Sequence, residues 1–180
     1  MNKSISLGSE INLPQFQINL LMTISQIAKE IGISRVALVG GAVRDGFIDR
    51  FNYKSSNKLT DLDLVVQGSA TKLAKALQLK LGPELLTKLR VHNDYNTAAI
   101  SIDGLKIDLA TARVEKYFAP GENPHVSPTN LEKDLNRRDF TVNAIAIELN
   151  NRNLIDPHKG IDAISKGQLE FVHSKSVAED

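Results

Sequence analysis

Apolar residues recur at intervals of four and three between Phe16 and Ile31 (FQINLLMTISQIAKEI), through Leu20, Ile24, Ile27 and Ile31, and Gly32 follows. The spacing predicts an amphipathic helix that stops at the glycine. Arg35 to Val39 (RVALV) is short, β-branched and almost wholly apolar, the pattern of a strand covered on both faces. Gly40-Gly41 comes next, so a strand, a tight turn and a helix from Ala42 to about Asp49 are expected. Arg50 to Thr60 (RFNYKSSNKLT) is polar and reads as a loop, ending at a second strand, Asp61 to Val66 (DLDLVV). Ser69 is placed to cap a helix running to about Leu81, which Gly82-Pro83 terminates.

Beyond Glu84 the period shortens to extended pieces: Leu85 to Val91, Thr97 to Ile102 and Leu105 to Ala110, with Asp103-Gly104 as a hairpin turn between the last two. Glu115 to Thr129 holds three prolines and one glycine without periodicity and predicts a long, mobile connection. Asn130 can cap a helix beginning LEKDLNRR. Phe140 to Leu149 (FTVNAIAIEL) is apolar enough to be buried, Asp156-Pro157 makes a turn, and Ile161 to Asp180 carries a weaker helix-then-strand pattern. No internal repeat is visible, and 180 residues suit one domain.

Composition narrows the function classes. Lys plus Arg number 22 against 21 Asp plus Glu, a formal charge of +1, so any contact with RNA must come from a local patch. The absence of cysteine excludes a disulfide scaffold, a thiolate zinc site and a cysteine nucleophile. No apolar run approaches the roughly 20 residues of a membrane span, and Met1 to Glu10 lacks the apolar core of a secretory signal. A cytoplasmic protein with no membrane partner is expected.

Asp61 and Asp63 form the first chemical constellation. Period-two geometry puts both carboxylates on one face of a strand while Leu62 and Leu64 point to the other. Unit charges about 4 Å apart repel by roughly 1 kcal/mol in water, so the pair asks for a neutralising partner such as Mg²⁺. An exposed strand face would also account for an isolated Asp-x-Asp. Gly40 and Gly41 let the backbone approach a ligand at a helix start, an arrangement suited to phosphate, although close helix packing would explain them equally. Arg44, one turn into that helix, could reach the same anion. Asp108 joins Asp61 and Asp63 if Ile107 and Leu109 face the core. Arg137, Arg138 and Asp139 sit where a polar helix meets an apolar run; arginine can grip phosphate there, or simply pair at a helix end. Asn143 could satisfy buried backbone groups. His-Glu-x-x-His, Gly-x-Ser-x-Gly and Walker A patterns are absent.

In order, LVGGAVRD (38–45), DLDLVV (61–66), IDLATAR (107–113) and DLNRRDFTVNAIA (134–146) resemble the head domain of class II tRNA nucleotidyltransferases and bacterial poly(A) polymerases. DPHKGIDAI (156–164) is similar to that family's exit from the head. The resemblance implies an α+β, polymerase-β-like nucleotidyltransferase fold, a mixed sheet backed by helices. It implies template-independent addition of C and/or A to RNA 3′ ends, tRNA above all, from CTP and ATP. By the same resemblance Asp61 and Asp63 bind two Mg²⁺ ions and Asp108 is the third carboxylate. Gly41 and Arg44 match triphosphate contacts, Arg138 and Asp139 match contacts to the nucleotide and its ribose, and Arg137 and Asn143 shape the same wall. Glu179-Asp180 resembles the opening of a base-reading motif whose arginine is missing. The expected layout is therefore an N-terminal helical extension (1–34), a catalytic head (35–150) and the start of a truncated neck (151–180). Apolar surface near Phe140 to Leu149 or Phe171-Val172 should then be partly exposed. Poly(A) synthesis and a non-catalytic nucleotide-binding module are the competing functions.

Overall fold

The computed structural model describes residues 4–52, 61–116 and 124–173. Its element order is α1 (Gln15–Glu30), β1 (Arg35–Val39), α2 (Gly41–Asn52), β2 (Asp61–Gln67), α3 (Ala70–Leu85), β3 (Leu86–His92), β4 (Thr97–Ile102), β5 (Leu105–Thr111), β6 (Arg113–Lys116), β7 (His125–Pro128), α4 (Leu131–Asn136), a 3-10 turn (Thr141–Asn143), β8 (Ala146–Glu148), β9 (Leu154–Ile155) and α5 (Gly160–Ser165). Seven strands form one sheet in the order β3-β4-β5-β2-β1-β8-β9. Among the described residues only the β2–β5 pair of this sheet is parallel; the other neighbours run antiparallel. The expected mixed sheet backed by helices is present.

Register decides which side chains share a face. Ile147, Leu38, Leu64, Leu109, Ala98 and Val91 lie abreast across six strands. This row faces the main core, where Leu21 and Ile24 of α1, Val43 and Phe47 of α2 and Leu73 and Leu77 of α3 cover it. One residue along, the row reads Ala146, Val39, Asp63, Asp108, Ala99 and Arg90. It points to the opposite face, because successive side chains on a strand alternate. There Val39, Val65, Ala112 and Ala146 pack with Leu131 and Leu135 of α4 into a smaller second core. That core covers one end of the face and leaves the aspartates open at the other.

Local chemistry accounts for most boundaries. The Ser69 side chain accepts a hydrogen bond from Lys72 N and the Asn130 side chain from Lys133 N, capping α3 and α4. Asp103 and Gly104 both have positive φ, 49° and 79°, as the hairpin between β4 and β5 requires. Gly82, at φ 73°, breaks the regular part of α3, and one further turn from Pro83 delivers the chain to β3. α2 continues to Asn52, three residues into the segment expected to be loop, and 53–60 lie outside the described residues.

Two expectations change. Glu115 to Thr129 is not an irregular connection throughout: β6 and β7 pair antiparallel, Arg113 with Pro128 through Lys116 with His125. Its prolines hid the ribbon, since Pro128 sits at a strand end where no ladder donor is needed. The run from Val142 to Leu149 is enclosed rather than partly exposed, apart from Asn143, while Leu169 and Phe171 are open to solvent and Phe171 stacks on Phe140 with ring centres 5.0 Å apart. The first residues also join the main core. Ile5, Leu7, Ile11 and Leu13 are buried there together with α1, and Ile5 N donates to Arg152 O.

Candidate active site

The open end of the second face carries three carboxylates. Asp63 and Asp108 are register partners on the one parallel strand pair, and Asp61 lies two residues before Asp63 on the same side. The residues that alternate with them, Leu62, Leu64, Ile107 and Leu109, are buried, so the apolar requirement of the core turns all three acids the other way. Burial, the Asp108 charge and, more weakly, Asp61 push the Asp63 carboxyl above its ordinary value, while Arg138 opposes them. Asp61 is 3.9 Å from the Lys106 ammonium.

Gly40 closes against this group. It has a φ of 71°, and a Cβ at that position would lie 2.8 Å from Asp63 Oδ2. Glycine is therefore demanded twice, by the left-handed backbone and by the carboxylate beside it. Gly41 opens α2, and Arg44 N donates to Gly40 O to start the helix. The Arg44 side chain is held by Asp45 at 2.7 Å and by Asn143 Oδ1 at 2.9 Å. Asn143 O in turn accepts from Arg138 Nη1 at 3.2 Å. Asn143 thus links the two arginines.

Arg138 rests on Asp134, whose carboxylate is fully buried. Asp134 Oδ1 accepts from Arg113 N and from Arg137 Nε, and Oδ2 lies 3.5 Å from Arg138 Nη2. Burial lowers the Arg138 pKa, with the Asp134 and Asp63 charges acting against that fall, and its Nε is buried without a hydrogen-bond partner among the described residues. Arg137 shares Asp134 with Arg138 and reaches outward to Glu115, which also pairs with Arg113. Asp139 is exposed and its carboxylate makes no ion pair or hydrogen bond among the described residues; its carbonyl accepts from Val172 N. Asp180 lies outside the described residues.

The structure therefore brings together Asp61, Asp63, Asp108, Gly40, Gly41, Arg44, Arg138 and Asn143, and holds Arg137 next to Arg138, between Asp134 and Glu115. Asp134 escaped the sequence reading. Its signal was the i, i+3 and i, i+4 spacing to Arg137 and Arg138, which places an acid and two bases on one helical face. Among the described residues no three His, Cys, Asp or Glu side chains form a metal cage of their own; the carboxylates here offer oxygen donors only, which suits Mg²⁺, an ion commonly held by one or two carboxylates together with water and substrate phosphates.

The profile of the Poly A polymerase head domain matches residues 36–170. The chain belongs to this family. An A-adding tRNA nucleotidyltransferase of Aquifex aeolicus (strain VF5) is 38% identical over 151 residues, covering 81% of this chain and 17% of that protein. A CC-adding tRNA nucleotidyltransferase of Deinococcus radiodurans is 35% identical over 151 residues, covering 82% of this chain and 37% of that protein. A solved CCA-adding enzyme, apo form II, superposes with a TM-score of 0.83 at 31% identity, covering all of this chain and 41% of that one. This head-domain chain spans well under half the length of each. The four motifs, in order, all fall within the matched span. Among the described residues no helix is long and apolar enough to cross a membrane.

Proposed function

We propose that this head domain serves template-independent addition of C and/or A to the 3′ end of tRNA, with CTP and ATP as substrates. The observation that carries the proposal is the register pairing of Asp63 with Asp108, with Asp61 on the same face and the Gly40 turn against Asp63. The names of the relatives, A-adding and CC-adding tRNA nucleotidyltransferase, support the substrate class.

In this reaction the RNA 3′ oxygen attacks the α-phosphorus of the nucleotide, the new phosphodiester forms, and the bond to pyrophosphate breaks. Asp61 and Asp63 would hold two Mg²⁺ ions, with Asp108 as the third carboxylate facing the RNA hydroxyl. Bound there, Mg²⁺ supplies acidification of the 3′ hydroxyl and neutralisation of charge on the departing pyrophosphate. The backbone of Gly40 and Gly41, at the positive end of α2, receives the triphosphate. Arg44 and Arg138, oriented through Asn143, counter its charge, and exposed Asp139 is free to meet a ribose hydroxyl.

Calorimetric titration of ATP and CTP, with and without Mg²⁺, tests the site. Mg²⁺-dependent binding of both nucleotides that Asp61→Asn/Asp63→Asn loses is the expected result. Equal binding by the double variant would overturn the proposal. Product length on a tRNA lacking its CCA then separates tRNA repair from poly(A) synthesis, which would yield long A tails on unrelated RNA. Nucleotide binding with no extension of any RNA by the complete enzyme would favour a non-catalytic module instead.

A further inference from the structure

The aspartate face continues past Asp108 onto two strands that the reaction above does not use. Arg90 lies in the same transverse row as Asp108 and Asp63, with Ala99 between. The neighbouring row places Lys88 abreast of Ser101, Lys106 and Asp61, and the row on the other side places His92 abreast of Thr97 and Ala110. Edge strand β3 therefore presents Lys88, Arg90 and His92 on the side of the carboxylates. Between rim and acids the floor consists of Thr97, Ala99, Ser101 and Ala110, all small. A shallow recess lined by His92, Thr97, Ala99, Asp108 and Ala110 lies there.

Lys88, Arg90 and His92 are exposed, and none makes a side-chain hydrogen bond or ion pair among the described residues. Six other arginines, Arg35, Arg44, Arg50, Arg113, Arg137 and Arg138, are each engaged with a carboxylate, whereas Arg90 has no such partner among the described residues. The overall charge of +1 supplies no general attraction for a polyanion, so attraction has to be local, and Lys88 and Arg90 place two cations beside the carboxylates. Alternate residues on a strand are roughly 6.7 Å apart, close to one nucleotide step of an extended strand. The rim stands two strand spacings, roughly 10 Å, from Asp108, far enough to hold phosphates clear of the acids.

We infer that β3 and β4 form the track for the single-stranded 3′ end of the RNA: Lys88 and Arg90 pair with successive backbone phosphates, the floor of small residues lets the strand lie close to the sheet, and the terminal hydroxyl reaches Asp108. This rests on the function proposed above. The contacts are to the backbone, so the track is indifferent to base identity.

The test compares wild-type chain with Lys88→Ala/Arg90→Ala and with Lys88→Arg/Arg90→Lys. Anisotropy of a labelled single-stranded RNA ending in CC is followed over a salt series, and ATP binding with Mg²⁺ is measured by calorimetry on the same preparations. The alanine pair is expected to weaken RNA binding several-fold, equally for A-rich and C-rich strands. It should reduce the slope of log affinity against log salt by about 1.4, two phosphates at about 0.7 each on a single strand. ATP binding should be unchanged, and the charge-conserving pair should restore the slope. An unaltered slope in the alanine pair overturns the track, as does wild-type chain that binds ATP without binding RNA. Unaltered RNA binding with new self-association would mark the two cations as protection of a sheet edge and overturn it likewise. Loss of nucleotide binding in the wild type would instead sink the function proposed above.

Discussion

Asp63 shows how one carboxylate set beside another weakens the folded state. Burial and the Asp108 charge hold its carboxyl above the ordinary value of 3.8, so the folded chain binds that proton more tightly than the unfolded chain does. The sign follows directly: the stabilisation is full below the ordinary Asp range and is lost as pH rises through the raised pKa. Asp63→Asn is accordingly expected to raise Tm at pH 7, by about 2–4 °C if relief of one like-charge contact is worth on the order of 1 kcal/mol. The same variant should lose Mg²⁺-dependent nucleotide binding. Thermal melts of both proteins between pH 4 and 7 check this: the difference in Tm should shrink toward the acid end, and a constant difference would assign the effect to packing. Mg²⁺ should stabilise the wild type and leave Asp63→Asn nearly unmoved.

At the scale of elements, two joints position the site. The first is the seat of α4 and β6 on Asp134, which binds Arg137 and Arg138 and the backbone of Arg113 from within the second core. Removing one partner of a buried ion pair costs about 3–5 kcal/mol, because the remaining charge is left without compensation. Asp134→Ala is expected to lose that amount in urea unfolding, and to weaken nucleotide binding through the displaced Arg138. The second joint is α2 against the N-terminal segment. A Cβ at Gly46 would lie 2.5 Å from Ile11 Cβ and 2.8 Å from the Ile11 backbone oxygen. Backbone cannot swing aside as a flexible side chain does, so Gly46→Ala is expected to cost about 1–3 kcal/mol as overpacking. Limited proteolysis should show the cleavage appearing first in residues 4–14.

For the whole molecule, residues 1–34 are more than an appendage: α1 packs on the sheet, and ahead of it Ile5, Leu7, Ile11 and Leu13 are buried in the same main core. Full burial of each such side chain stabilises by about 1.5–3 kcal/mol, and a domain of this size holds only about 5–15 kcal/mol in total. A chain beginning at Pro14 is expected to bind hydrophobic dye and to lose its sharp thermal transition. A cooperative melt close to that of the intact chain would show the segment to be dispensable. Near the last described residues Leu169 and Phe171 stay open to solvent, although Phe171 stacks on Phe140.

Periodicity and capping chemistry alone determined the elements: α1, β1, α3, β4 and β5 follow from local spacing, from Ser69, and from the positive-φ requirement met by Asp103-Gly104. The facing of Asp61, Asp63 and Asp108 was legible too, since buried Leu and Ile at alternate positions leave a neighbouring acid only one side. Three things were not. The β6–β7 ribbon was hidden because pairing is a long-range property and prolines masked the local pattern. The fate of Arg137 against Arg138 depended on where Asp134 and Glu115 lie in space, which adjacent residues in a sequence cannot express. The row from Asp63 through Asp108 and Ala99 to Arg90 exists only once β2 and β5 pair in parallel around an intervening helix and hairpin. Strand order and register are set by how the whole core packs, so the tertiary structure alone put a cationic edge beside the three acids.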